Sequence, residues 1–352
     1  MSTGSTSRTP LARVLAFYLP QFSPTPENDR WWGPGFTEWT NVVAARPLFE
    51  GHWQPRLPAD TGFYDLRVPE VRELQAELAR AHGIEGFVYW HYWFGGRRLL
   101  DRPFAEVLAS GRPSLPFCLS WANESWERRW HGSGTGKEVL CEQTYSAEDD
   151  RAHARWLAAA FQDDRYIRIE GRPLFLVYRP HDLPDPARTL GMLAEECALV
   201  GLKPPYAVGI NAHRPSADTR PLGFDLTLNF EPQLSAVPGP QDPGLKIYDY
   251  PTAVRAMRAQ HRGYPTHPCV MVSWDNTARR GGDGIVFINA TPDTFKAHLA
   301  EAVAEVQQIP LERRLVFVNA WNEWAEGNHL EPDLRYGHGW LEALRDVVLP
   351  ER

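Results

Sequence analysis

Eight short apolar runs recur along the chain, at 14–19, 86–90, 116–121, 174–178, 206–210, 226–230, 269–273 and 315–320. Runs of this length, bounded by turn residues, are the pattern of strands buried on both faces. Between most of them apolar positions return at a spacing of 3.6 residues. That predicts helices over 69–82, 147–161, 186–200, 252–262 and 292–306. Pro69 and Pro292 fall in a first turn, where a missing N–H costs nothing, and Gly83 and Gly201 fall where C-terminal caps belong. Strand and helix alternating eight times read as a (β/α)8 TIM barrel of the α/β class. The link 212–225 shows no helical pattern, so that unit is expected to be degenerate. A doubly wound open sheet would open its first helix with a Gly-rich turn. Here the first strand runs into Pro20-Gln21-Phe22 and a long loop, with neither G-x-G-x-x-G nor a Walker pattern in the chain.

In a barrel the active site is built at the C-terminal ends of the strands. Polar and aromatic residues collect there on nearly every strand: Tyr18 and Gln21; His91, Tyr92 and Trp93; Trp121, Asn123 and Glu124; Tyr178 and Arg179; Asn211; Asn229 and Glu231; Trp274 and Asp275. The last strand leads into Asn322-Glu323-Trp324-Ala325-Glu326-Gly327, two carboxylates three residues apart among Trp321 and Trp324. Glycosyl chemistry needs one carboxyl group to protonate a leaving oxygen and another to act as base or nucleophile. The segment 23–68 is a long insertion after the first strand. It holds Trp31-Trp32-Gly33 and Gly35-Phe36-Thr37-Glu38-Trp39, as a binding wall or as a plug over the barrel mouth. Glu124 and Glu231 read equally as sugar contacts, as orienting groups or as structural hydrogen bonds. His91 and Tyr92 read as sugar contacts or as buried, satisfied side chains.

Composition narrows the partner. Fourteen Trp, 12 Tyr and 16 Phe, many in polar surroundings, suit sugars, whose C–H faces stack on rings while their hydroxyls seek polar partners. A net charge of -7 argues against nucleic acid or an anionic membrane surface, and Arg128-Arg129 and Arg279-Arg280 are too short for a nucleic-acid stripe. Those pairs read as solvated faces or anion contacts, and Asp149-Asp150 and Glu195-Glu196 as solvated faces. Cys118, Cys141, Cys197 and Cys269 form no C-x-x-C pair, and His91, His131, His181 and His213 have no ligand spacing, so neither metal nor cofactor is expected. Residues 1–10 read as a flexible N-terminus without a signal-peptide core, and 11–352 as a single catalytic domain. With no run long enough for a membrane span, a cytoplasmic protein is expected.

Several of these motifs, in order, make the chain resemble the WbsX family, described as glycosyltransferases of O-antigen and other polysaccharide loci and related to glycoside hydrolase family 99. They are Ala16-Phe17-Tyr18-Leu19-Pro20-Gln21-Phe22, Pro26-Glu27-Asn28-Asp29 before Trp31-Trp32-Gly33, and Gly35-Phe36-Thr37-Glu38-Trp39-Thr40-Asn41. His91-Tyr92-Trp93-Phe94, Trp121-Ala122-Asn123-Glu124 and Leu330-Glu331-Pro332-Asp333 complete them. Ser23 stands where members often carry His, and Ser125 and Glu127 depart from the commonest forms. Family 99 comprises (β/α)8 endo-acting α-mannosidases and α-mannanases, whose Glu-Trp-His-Glu-Gly is similar to Glu323-Trp324-Ala325-Glu326-Gly327, with Ala325 for the histidine. The resemblance implies a retaining reaction in which the substrate's 2-hydroxyl attacks C1. Glu323 would take the hydroxyl proton and Glu326 would protonate the leaving oxygen. Such an attack requires a 1,2-trans glycoside, as in α-mannosides and α-rhamnosides. Without a Rossmann-like nucleotide site or a D-x-D, cleavage is preferred to transfer from an activated donor. Transfer in polysaccharide synthesis and a non-catalytic sugar-binding barrel are the alternatives.

Overall fold

Eight parallel strands close into a barrel: β1 (Arg13–Tyr18), β2 (Ile84–Phe94), β3 (Phe117–Trp121), β4 (Arg172–Val177), β5 (Tyr206–Asn211), β6 (Leu226–Phe230), β7 (Thr266–Met271) and β8 (Leu315–Asn319). Each pairs with its sequence neighbours, and β1 closes the ring by pairing with both β2 and β8. Ala16, for example, is in register with Phe87 on one side and Val318 on the other. Closure satisfies the strand backbones without an edge, the condition under which nearly all-apolar strands are stable. All eight expected strands are present, displaced by a few residues at their ends. The architecture is a (β/α)8 TIM barrel.

This computed structural model describes residues 9–129, 137–212, 217–240, 243–260 and 263–350. Most of the N-terminal segment expected to be flexible, together with His131 and His213, lies outside them. The outer helices are α1 (Pro69–Ala81), α2 (Arg102–Ser110), α3 (Ala147–Ala160), α4 (Pro186–Leu199), α5 (Tyr250–Arg258), α6 (Pro292–Val306) and α7 (Gly339–Val348). α2 and α7 were not expected; their amphipathic patterns span only nine and ten residues. Between β5 and β6 the described residues hold only the 3₁₀ turn Arg220–Leu222, in keeping with the degenerate unit.

The acidic pairs need correction. Asp150 on α3 is buried, accepting bonds from Thr189 Oγ1 (2.9 Å) and Arg188 (3.4 Å). Glu196 on α4 is also buried, against Arg151 (3.0 Å) and Arg155 (3.3 Å) of α3. A charge at a helix–helix contact is tolerated when the facing helix supplies its partners, and spacing within one helix does not reveal that partner. Among the described residues no helix is long and apolar enough to cross a membrane.

Candidate active site

Beyond β8 the chain makes a miniature hairpin at the C-terminal rim. Asn322–Glu323 pairs antiparallel with Asn328–His329, and the 3₁₀ turn Trp324–Glu326 joins them. The hairpin thereby sets Glu323 and Glu326 at the two ends of one turn. Neighbouring segments clamp both its side chains and its backbone. Asn322 Oδ1 accepts from Leu19 N (2.7 Å), and Asn328 Oδ1 accepts from Val272 N (3.0 Å). Asp275 N donates to the Glu326 carbonyl (2.7 Å), and Arg56 donates to the Gly327 carbonyl (2.7 Å). Gly327 has φ +58°, and a Cβ there would stand 2.8 Å from Arg56 Cζ and Asp275 Cβ, so only glycine fits both the torsion and the space. From behind, Trp321 and Trp324 donate their indole N–H groups to Glu331 (3.1 and 2.7 Å). Tyr64 (2.9 Å) and Gln75 (2.7 Å) donate to the same carboxylate, which is fully buried. Burial pushes Glu331 up to about 7. Its role in holding the hairpin was missed, because only the fold brings its four donors together.

Arg279, on the short helix Thr277–Arg280 after β7, is the cation of the site. Its Nη1 meets Glu326 at 2.7 Å, its Nη2 meets Glu323 at 3.1 Å and its Nε meets Glu38 at 3.1 Å. Glu38 reaches it from the first turn of the helix Glu38–Ala44 in the long first loop. Arg279 is therefore an anion contact inside the site and not part of a solvated face. Burial raises Glu323 to about 8, reinforced by the charge of Glu326 and, less, of Glu38, while Arg279 opposes the rise. Glu326 is raised too, by burial first, with Glu38 and Glu124 adding to it and Arg279 opposing. Carboxylates this close titrate as a unit, and the pair retains a proton near neutral pH. Glu326 is the more open member, with 23% of its side chain exposed against 9% for Glu323.

The pair faces a cavity of about 380 Å³. Rings of the barrel interior line it at depth, Trp90 packing edge-on to Tyr178 (5.3 Å) and to Phe230 (6.0 Å). Trp32, Tyr92, Trp126 and Trp274 form its walls. Of the residues expected at the site, Gln21, Trp32, Glu38, Tyr92, Glu124, Tyr178, Trp274, Glu323 and Glu326 line this cavity. Tyr18, Trp39, His91, Trp93, Trp121, Asn123, Asn211, Glu231, Asn322 and Trp324 do not.

Strand alternation explains much of that division, since consecutive side chains point to opposite faces. On β2, Trp90 and Tyr92 face the cavity, while His91 stacks on Trp156 (4.6 Å) and Trp93 donates to Asp149 (2.9 Å). Tyr18 points outward to Gln75 of α1 (2.7 Å), and Trp121 packs edge-on to His153 of α3. Glu231 pairs with His298 of α6 (3.1 Å), and Asn211 accepts Gln233 on its carbonyl (2.6 Å). Trp39 and Trp324 pack on each other behind the wall (5.7 Å). Asn28, Trp90 and Arg279 were missed; a period-two reading of β2 would have found Trp90. Asn28 is fully buried on the cavity lining, and neither atom of its amide has a protein partner. Among the described residues no cluster of three metal-ligating side chains occurs.

The family model described as Glycosyltransferase WbsX matches residues 14–344. Two proteins from strains of Xanthomonas campestris pv. campestris, both called uncharacterized protein WxcX, are 44% identical over 349 residues, 96% of this chain and 50% of theirs. The chain thus spans about half the length of these curated relatives. Among solved structures, a GH99 endo-alpha-mannosidase from Bacteroides thetaiotaomicron superposes with a TM-score of 0.61 at 14% identity, covering 95% of each chain. A glycoside hydrolase-like protein does so at 0.60 and 14%, covering 95% of this chain and 93% of its own. At that identity the likeness is one of fold.

Proposed function

The chain belongs to the WbsX glycosyltransferase family, and on that premise we propose that it is a retaining glycoside hydrolase of bacterial polysaccharide, acting on 1,2-trans glycosides of the α-mannoside or α-rhamnoside type. The observation that carries this reading is the coupled pair Glu323 and Glu326, held on one guanidinium beside an aromatic-walled cavity. Residues 11–352 act in it as one catalytic unit.

In the first step O2 of the sugar attacks C1, Glu323 takes the O2 proton and Glu326 gives its proton to the leaving oxygen. The C1–O glycosidic bond breaks and a 1,2-anhydro sugar remains. In the second step water attacks C1 while Glu326 takes its proton, and Glu323 returns a proton to O2 as the three-membered ring opens. Two inversions at C1 give net retention. Exposure assigns the roles: Glu326, the more open member, reaches leaving group and water, and the more buried Glu323 reaches O2, while the one proton that the pair shares is on Glu326 when the glycosidic bond breaks. Asn28 offers its amide to other sugar hydroxyls.

A second reading is transfer, in which a sugar hydroxyl replaces water in the second step or an activated sugar serves as donor; the name of the family model favours it. The test is release of product from aryl α-mannosides and α-rhamnosides without nucleotide sugar, read by mass spectrometry. Wild type cleaves. Glu326→Gln is slowed by about 10²–10⁴-fold on poor leaving groups but far less on acidic ones, which depart without a proton, whereas Glu323→Gln is slow on both. No cleavage, followed by product once a nucleotide-activated sugar is added, would replace hydrolysis by transfer.

A further inference from the structure

A second cavity, of about 490 Å³, adjoins the first and shares Glu124, Ser125 and Glu127 with it. The shared residues lie in the turn after β3 and at the start of the antiparallel hairpin formed by Trp126–Arg129 and Lys137–Cys141. We propose that this cavity is a second sugar subsite, taking a neutral hydroxyl-rich unit of the same glycan whose neighbouring unit lies against Glu323 and Glu326. The inference rests on the carbohydrate reading of the first cavity, and it adds where the chain of sugars runs and which units it admits.

The chemistry of the lining selects the ligand class. The first cavity is walled by rings, whereas the second is lined by polar side chains alone, with Tyr145 as its one aromatic. An apolar ligand would find little apolar surface to meet. Two carboxylates, Glu124 and Asp182, share one cation, Arg179, which leaves an excess of negative charge on this lining. A uronate or phosphate would enter against that charge. A neutral sugar brings the hydroxyl donors that carboxylates accept.

The floor is already ordered. Arg179 Nε donates to Glu124 (2.7 Å), its backbone N–H donates to Asn123 Oδ1 (2.8 Å), and Asn123 Nδ2 donates to Tyr145 Oη (3.1 Å). Gln143 is anchored through its N–H to Ser125 Oγ (2.9 Å), but its Oε1 is buried without a protein partner. A buried acceptor left unmet destabilises the empty site, and a ligand hydroxyl that donates to it recovers that loss. A rim whose groups are fixed before binding loses little entropy when the ligand arrives.

The test is calorimetric binding of α-manno- and α-rhamno-oligosaccharides of one to four units to full-length Glu326→Gln, which does not consume them. Affinity should rise at least about tenfold beyond one unit in one of the two series. In Glu326→Gln that also carries Gln143→Ala and Asp182→Ala, the gain should vanish while the methyl monoglycoside binds as before. An oligosaccharide of the same length with a uronate as the added unit should gain nothing. A response flat with chain length in both series, or a gain that survives the two added substitutions, overturns the subsite. Because the readout is binding, loss of the hydrolase reading shows separately, as glycans that bind the protein but are not cleaved by wild type.

Discussion

Arg279 presents three nitrogens to three carboxylates, so it sets both the spacing of Glu323 and Glu326 and the proton affinity of the pair. One cation among three acids leaves an excess of negative charge, and burial strengthens its effect. The result is a pair that keeps a proton at neutral pH, as a glycosidic acid and base acting together must. Activity is therefore expected to fall as pH rises through the upper titration of the pair, near the value of about 8 to which Glu323 is pushed. Replacing Arg279 by Gln removes the influence that lowers both carboxylates. The basic limb of the kcat/KM profile should then move to higher pH by about one unit or more, along with a fall in kcat. Glu38→Gln should move that limb to lower pH, since Glu38 raises both groups. Profiles that keep their limbs while the rate falls would reduce Arg279 to a packing role.

The hairpin 322–329 is the element that turns a sequence spacing into a site. Two residues between the acids place nothing by themselves; the 3₁₀ turn, its clamps from Leu19, Val272, Asp275 and Arg56, and the two indoles on Glu331 do so. Gly327 is where these constraints meet. Alanine there adopts a left-handed torsion and drives its methyl group onto Arg56 and Asp275. We expect a loss of roughly 2–4 kcal/mol from torsion and overpacking, read in urea unfolding. Activity should fall further than the loss of folded protein explains, because the turn carries both acids. Stability equal to wild type would show that the clamp is looser than its distances imply. The first loop is an element of the same kind, bringing Asn28, Trp32 and Glu38 to the cavity while His52 anchors it to Asp275 (2.8 Å).

For the whole molecule, the site carries a cost in stability. The pair Glu323 and Glu326 keeps one shared proton in the folded state to about 8, and Glu331 keeps its own to about 7, whereas an unfolded glutamate loses its proton near 4.3. From about pH 4.3 upward the unfolded chain binds fewer protons than the folded one, so these groups lower stability progressively, and the penalty is complete above about 8. Glu323→Gln removes one such group. Its melting temperature should match wild type near pH 4 and exceed it by about 3 °C at pH 8; a difference independent of pH would exclude the linkage. The barrel itself was legible in the chain, because eight apolar runs with helical periods between them admit few closed solutions. The rim was legible too, since strand ends can be located from those runs. Legibility stopped at the direction of side chains, as when His91, Tyr92 and Trp93 were read together although alternation turns two of them toward the helices. It stopped also at charges whose partners come from elsewhere, such as Arg279 between Glu38 and the hairpin, Glu196 beneath α3, and Glu331 among four donors from three segments. Sequence by itself determined the order of strands and helices and the presence of two acids at the last strand end, because periodicity and spacing are local. Which groups share the cavity, what holds their protons and where a second sugar would lie were decided only by closure of the barrel, which brings residues hundreds of positions apart within hydrogen-bonding distance and out of water.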